Sequence, residues 1–279
     1  MFKKIVSLLL ALLVPTLSFA RDYTGDPRCQ LAYLFNEGSG STVADSTGNG
    51  NTCSLTSITW SSSTVPSFNN YGKANNSGQW TTTSSAILGG TSNNLLMYNA
   101  PLTITLWMYP TTLPSTNDRL VGKEASGTSY LRLQADDASN GGTDLEFDVK
   151  GSTDVDRDTS QGCFTDNAWN FVTVTWDGST TATNVHIYVN NAECSYNFTT
   201  NGATLTSNSG QTIGIGTRGG DTSKTFVGYI AQVGVFNAVL SAAEITDIYC
   251  NGLTGNGSFF VSNYYKHWKR FDHNEGFIA

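Results

Sequence analysis

The sequence predicts an all-β domain, a sandwich, jelly roll or barrel, with one short helix near its C-terminal end. Three observations lead there. Short runs of alternating apolar and polar residues recur along the 279-residue chain, the pattern that turns one face of a strand to a core and the other outward. Clusters of turn-forming residues separate the runs. Only 13% of residues are charged, while Gly, Ser, Thr and Asn are abundant; that suits many turns and Thr-bearing strands and suits a helical bundle badly.

LAYLFN at 31–36, LTITLWMY at 102–109, SYLRLQ at 129–134 and DLEFDV at 144–149 each read as a strand of four to eight residues. NEGSGS, DSTGNGN, ADDASNGG, WDGSTT and TRGGDTS supply the turns between strands. No repeat of fixed period is present, which argues against propellers and solenoids. In WNFVTVTWDGSTTATNVHIYVNNAECSYN, Val172, Val174, Trp176, Val185, Ile187 and Val189 make an aliphatic face suited to a core between sheets. Phe171, Thr173, Thr175, His186 and Tyr188 share the opposite face, expected to be solvated. Asn190 and Asn191 stand where a two-residue hairpin needs positive φ. In SAAEITDIYCNG, Ser241 precedes Glu244 by three residues, the capping-box spacing. Ile245, Ile248 and Tyr249 then fall on one face, and Gly252 ends a helix of roughly two turns.

The first twenty residues, MFKKIVSLLLALLVPTLSFA, have the basic start, apolar run and small-residue end of a secretory leader. The run from Ile5 to Val14 is too short to span a bilayer, which takes roughly 20 residues. We therefore expect a mature chain beginning at Arg21, secreted, periplasmic or at the cell surface, with no transmembrane segment after cleavage. Removing Lys3 and Lys4 moves the formal net charge from −7 to −9. An acidic surface repels phosphate backbones and anionic lipid, which excludes nucleic acid and membrane surfaces as partners. Five cysteines remain, enough for two disulfides in an oxidising compartment. Cys163 and Cys194 bracket the central stretch and are expected to pair. Cys29 with Cys53 is the economical second bridge, and Cys29 with Cys250 is its alternative. The domain is expected over 21–255; the aromatic tail 256–279, basic between Lys266 and Arg270, stands apart.

Four blocks in order resemble a laminin-G-like domain of the concanavalin A-like lectin and glucanase superfamily. They are LAYLFNEGSGSTVADSTGNGN, LTITLWMYPTT with Trp107 and Pro110, WNFVTVTWDG with HIYVNNAE, and FVGYIAQVGVFNAVLSAAEITDIY. The resemblance implies a two-sheet antiparallel jelly-roll sandwich, one sheet concave. It also implies functions among sugar binding, adhesion and protein recognition, since the fold does not set the ligand. Relatives usually carry an acid in the closing strand that contributes to a calcium site. Here the run is Tyr229-Ile230-Ala231-Gln232-Val233, which lacks the carboxylate a hard cation prefers.

Laminarinase-type relatives carry a Glu-x-Asp-x-x-Glu strand for glycoside hydrolysis. Here Glu146 and Asp148 share a strand face, but Gly151 stands at the third position, leaving no acid/base there. The two acids are expected to be solvated, and no catalytic residue is assigned. His186 has no Gly-x-Ser-x-Gly elbow to partner it. Calcium could still lie in the loop holding Asp45 and Asn49, whose alternative role is an Asx-turn. For sugar recognition, Tyr188, His186 and Phe171 supply rings, and Arg218 and Asp221 supply charge in a glycine-rich rim loop; ordinary cross-strand pairing and a solvated turn are the alternatives. The expected function is an exported, non-catalytic module that binds carbohydrate or a glycosylated surface. A protein-adhesion or structural surface module and a divergent glycoside hydrolase are the alternatives.

Overall fold

A computed structural model of the protein describes residues 21–68, 72–73, 77–81, 84–88, 95, 98–112, 117–125, 129–135, 142–219 and 224–255. The leader 1–20, the tail 256–279 and Asp221 lie outside them. The chain alternates between two sheets, which is what closes it into a sandwich. Strand β1 (Cys29–Tyr33) lies in the first sheet, and β2 (Thr42–Val43) and β3 (Cys53–Thr56) lie in the second. β4 (Thr59–Ser61) returns to the first, β5 (Ser67–Phe68) and β6 (Gly72–Lys73) form a small ribbon, and β7 (Ser77–Trp80) rejoins β4. β8 (Ser85–Leu88) belongs to the second sheet and β9 (Leu102–Pro110) to the middle of the first.

A meander in the second sheet follows: β10 (Asp118–Ala125), β11 (Ser129–Ala135) and β12 (Leu145–Val149). β13 (Gly151–Thr153) pairs outside the two sheets with a later strand, while β14 (Val155–Thr159) continues the second sheet. The central stretch gives the first sheet β15 (Asn170–Trp176), β16 (His186–Val189) and the two-residue β17 (Ala192–Glu193). β18 (Tyr196–Thr200) crosses to the edge of the second sheet, and β19 (Ala203–Leu205) is the partner of β13. β20 (Ile213–Ile215) then enters the second sheet, β21 (Gly228–Phe236) the first, and helix α1 (Ala242–Asn251) closes the fold. The first sheet runs β17-β16-β15-β9-β21-β7-β4, with β1 also on β21; the second runs β18-β14-β12-β11-β10-β20-β8-β3-β2. Every strand pairing within these sheets is antiparallel.

The aliphatic face read from the sequence lines the interior. Val172, Val174, Trp176, Val185, Ile187 and Val189 share one buried cluster with Leu131, Leu133, Phe147 and Val149 of the opposite sheet. Burying each such side chain contributes about 1.5–3 kcal/mol, the largest favourable term available to a sandwich. The expectation of a solvated opposite face is corrected. Phe171, Thr173 and Thr175 are buried, and Phe171 lies on the outside of the first sheet beneath α1. Trp107, Phe171, Ala231 and Phe236 meet Ile245, Ile248 and Leu253 there in a second cluster. Ala231 thus packs in this apolar cluster beneath the helix.

Local signals act as the sequence predicts. Ser241 Oγ accepts the Glu244 amide at 3.3 Å, and Glu244 Oε2 accepts the Ser241 amide at 2.9 Å. Gly252 ends the helix at φ 71°. Asn190 and Asn191 take φ 50° and 68° and turn β16 into β17 with Val189 opposite Ala192. Cys163 and Cys194 form a disulfide with a Cα–Cα distance of 5.7 Å, tying the loop before β15 to the link between β17 and β18. The second bridge is corrected: Cys29, Cys53 and Cys250 are free thiols. Cys29 packs in the cluster under the helix and Cys53 in the core between the sheets, on opposite sides of the first sheet. The two borders of the described domain also meet, since the Tyr23 amide donates to the Leu253 carbonyl at 2.8 Å. Among the described residues no helix is long and apolar enough to cross a membrane.

Candidate functional site

The outer face of the second sheet carries the densest chemistry in the described structure. Alternation on β11, β12 and β14 sends Leu131, Leu133, Leu145, Phe147, Val149 and Val155 into the core. The residues between them, Tyr130, Arg132, Gln134, Glu146, Asp148, Asp156 and Asp158, therefore line the other face. Register decides which of them meet. Arg132 lies opposite Asp148, Gln134 opposite Glu146, Asp148 opposite Asp156, and Glu146 opposite Asp158. Beyond β14, the edge strand β18 sets Phe198 opposite Asp158 and Thr200 opposite Asp156. Phe198 is 48% exposed, an apolar ring at the border of an acidic face.

These side chains hold one another. Arg119 Nε donates to Glu124 Oε1 at 2.6 Å, and its Nη1 donates to the Asn117 carbonyl at 2.7 Å and to Gln134 Oε1. Gln134 Nε2 donates to Asn117 Oδ1 at 2.6 Å and to Glu146 Oε2. Arg132 pairs with Asp148, lies 3.6 Å from Glu146, and stacks its guanidinium 4.2 Å above the Tyr130 ring. Arg218 is also found here, 3.5 Å from Glu124. Glu146 and Asp148 are therefore buried, at 8% and 2% exposure, which corrects the expectation of two solvated acids. Burial pushes the Asp148 carboxyl up to about 8 against the pull of Arg132, with the charges of Glu146, Asp156 and Asp154 adding to the rise. Asp148 Oδ1 has no hydrogen-bond partner among the described residues. Glu146, Asp156 and Asp158 each bring an oxygen within 4.8 Å of the others, a set of hard donors that could hold a metal.

The ring residues expected to bind sugar lie elsewhere and are not brought together with this face. Phe171 is 1% exposed beneath α1 and is withdrawn as a ligand plate; its ring packs 5.2 Å from Trp107 and 5.6 Å from Tyr249. His186 and Tyr188 stack at 6.4 Å on the first sheet, with His186 Nδ1 2.7 Å from Glu193 Oε1. In the loop that the sequence offers for calcium, Asp45 Oδ1 accepts from Ala32 N, Thr47 N and Thr47 Oγ1, and Oδ2 accepts from Asn51 N and Nδ2. Asn49 Nδ2 donates to the Cys29 and Gln30 carbonyls. Both residues thus knit the turn to β1. Asp156, Asp158 and Phe198 were missed from sequence, although the alternation in VDRDT already sets its two acids on one strand face.

Comparison with curated protein sequences finds no match. Among solved structures, the chain is similar to domain 4 of a GH43 extracellular arabinanase from Geobacillus stearothermophilus in complex with arabinotriose. The TM-score is 0.59 at 18% identity, covering 80% of this chain and 98% of that one. It is also similar to Trypanosoma rangeli sialidase in complex with sialic acid, with a TM-score of 0.53 and 16% identity, covering 80% of this chain and 33% of the sialidase. A third likeness is to the binding domain of Paraclostridial Mosquitocidal Protein 1, with a TM-score of 0.51 and 15% identity over 80% of this chain and 52% of that one. At these identities the likeness is one of fold. A family model described as the concanavalin A-like lectin/glucanases superfamily matches residues 81–246, more than half of the sequence, from the strand before the central ladder into the closing helix. Jelly-roll layering, strand order and that match agree: the chain belongs to the concanavalin A-like lectin/glucanases superfamily.

Proposed function

We propose that this chain is an exported, non-catalytic module that binds carbohydrate, or a glycan-bearing surface, on the outer face of its second sheet. The observation that carries the reading is the juxtaposition of prearranged carboxylates, guanidinium and amide with the exposed Phe198 ring. Sugars present hydroxyls to the former and an apolar ring face to the latter. Groups already fixed by one another lose little further freedom on binding. The acidic balance favours neutral or cationic glycans over sulfated or sialylated ones. The arabinotriose held by the similar arabinanase domain makes neutral arabino-oligosaccharides the first probe. Export is supported by the leader pattern and by the Cys163–Cys194 disulfide, which suits an oxidising compartment.

Two observations support binding without hydrolysis. A Cβ at Gly151 would sit 2.4 Å from the Ala203 and Thr153 carbonyl oxygens, so no acid side chain fits at the third motif position. Asp148 holds its proton near neutrality but is 2% exposed and paired with Arg132, poorly placed to reach a glycosidic oxygen. A glycan array tests the reading. Binding of a neutral glycan should fall at least about tenfold in Phe198→Ala, a loss of roughly 1.4 kcal/mol, and survive Tyr188→Ala. Absence of binding to any glycan would favour a protein-adhesion module. Sugar release from arabinan or laminarin that vanishes in Glu146→Gln would favour a hydrolase.

A further inference from the structure

We propose that Trp169, Tyr109, Tyr229, Gln79 and Thr59 form a second glycan-binding track, running across the strands on the outer face of the first sheet. The inference takes its ligand class from the carbohydrate reading above and shares no residue with the face that holds Phe198. Alternation and register build the row. Met108, Ile230 and Trp80 point into the core, so their neighbours Tyr109, Tyr229 and Gln79 point outward. Tyr109 lies opposite Tyr229, Tyr229 opposite Gln79, and Gln79 opposite Thr59. Trp169 immediately precedes β15, whose Asn170 faces Met108, and its ring centroid lies 5.7 Å from that of Tyr109. Neighbouring strands are about 4.8 Å apart, so the row spans roughly 15–20 Å, room for several linked sugars.

Helix α1 leaves this row open. Trp107 and Phe171, two residues along from Tyr109 and Trp169, are buried beneath it. Tyr109, Trp169, Tyr229 and Gln79 are instead partly exposed, and Thr59 is exposed. The two phenol hydroxyls, the Trp169 indole N–H, the Gln79 amide and the Thr59 hydroxyl make no hydrogen bond among the described residues, and none is buried in that state. Five neutral polar tips therefore face solvent along one line. On the second sheet, by contrast, the polar groups are largely taken up by one another.

The chemistry of the row selects the ligand. A sugar offers a C–H face to a ring and hydroxyls around its rim; the row offers rings bordered by uncharged donors and acceptors. No charged side chain belongs to it, so it does not select phosphate or carboxylate. A contact between copies of the chain is also disfavoured, since the large apolar side chains exposed among the described residues are Phe198 and Val239, both off the row. Tyr109 meets Trp169 at 68° and Tyr229 at 86°, so the rings present separate faces rather than one flat plate. That stepped arrangement suits a linear oligosaccharide that touches them in succession.

Calorimetric titration of the mature Phe198→Ala protein with neutral linear hexaoses (arabino-, xylo- and cello-hexaose) tests the track. At least one hexaose should still bind, at one site per chain, and its trisaccharide should bind about tenfold more weakly because it spans only part of the row. Adding Tyr229→Ala should weaken the remaining binding at least about tenfold, while adding Tyr188→Ala should leave it unchanged. Cross-strand rings also stabilise a sheet, so if Tyr229→Ala does not fold, Gln79→Ala with Tyr229→Phe removes two polar tips and no ring; it should weaken binding about threefold or more at an unchanged melting temperature. No hexaose binding in Phe198→Ala would overturn the proposal. So would residual binding that ignores both the Tyr229→Ala and the Gln79→Ala/Tyr229→Phe changes, or sugar-independent dimerisation in sedimentation that Tyr229→Ala abolishes. Hexaose affinity that falls with Tyr229→Ala and ignores Phe198→Ala would retire the second-sheet site and leave this one standing; the reverse pattern would retire the track alone.

Discussion

Asp148 lies directly opposite Asp156 across the β12–β14 ladder, and Arg132 pairs with Asp148 from the other side. Carboxyls thus stand in opposed pairs across this ladder, and burial keeps a proton on Asp148 up to a pH of about 8. In the unfolded chain an aspartate releases that proton near 3.9. Between about 4 and 8 the folded chain therefore holds a proton that the unfolded chain has lost. The contribution to stability falls as pH rises through that window and levels off above it. In EDTA, Asp148→Asn should flatten the decline in melting temperature between pH 4 and 8. Parallel profiles for variant and wild type in scanning calorimetry would refute this account.

Phe171 is expected to matter for stability alone. Its ring is wedged between Trp107 and Tyr249 beneath α1, so Phe171→Ala should cost about 3–5 kcal/mol in urea unfolding. Phe171→Leu, which keeps most of the volume, should retain glycan affinity within about twofold. A selective loss of ligand by Phe171→Leu, with melting unchanged, would restore this ring to a binding role.

The helix has its own weak point. Removing the Ser241 hydroxyl leaves the Glu244 amide without its cap, and Ser241→Ala should cost about 1 kcal/mol. Hydrogen exchange is the sensitive readout: protection should fall first in the opening turn of α1 and stay unchanged in β12. Uniform loss across both elements would mean that the cap supports the whole domain.

Cysteine accounting gives a fourth expectation. Unfolded but unreduced protein should titrate three thiols, Cys29, Cys53 and Cys250. In the native state Cys29 and Cys53 should stay unmodified, since burial both shields them and pushes each thiol up to about 12. Reducing Cys163–Cys194, which closes a sequence separation of 31, should lower stability by about 3–4 kcal/mol. One thiol or none in the unfolded, unreduced protein would contradict the separation of Cys29 from Cys53.

What could be read from sequence was whatever is periodic or local. Val172, Val174, Ile187 and Val189 announced an interior face by alternation, Asn190-Asn191 announced its turn, and Ser241 with Glu244 announced the helix start. Two kinds of information are absent from such patterns. Alternation separates two faces without saying whether the second is also covered, so it carries no sign that α1 buries Phe171. Nor does it say which strands pair. The acids of VDRDT carry no signal of standing opposite Glu146 and Asp148, because that meeting depends on the β12–β14 register. The disulfide pairing divided along the same line: Cys163 and Cys194 flank one excursion of chain, whereas Cys29 and Cys53 are near in sequence yet end on opposite sides of a sheet.

The contact between Tyr23 and Leu253 has an architectural consequence. A Cβ on Gly255 would sit 2.2 Å from the Arg21 carbonyl, so entry to and exit from the described domain are a single spot on its surface. A linker of a few residues could splice them, and the ring so closed could be reopened at the exposed Ser62–Ser63 pair without breaking a ladder of either sheet. Such circular permutants are tolerated where borders are neighbours. For the same reason the whole domain could be inserted into a surface loop of an unrelated host, its acidic face left pointing outward.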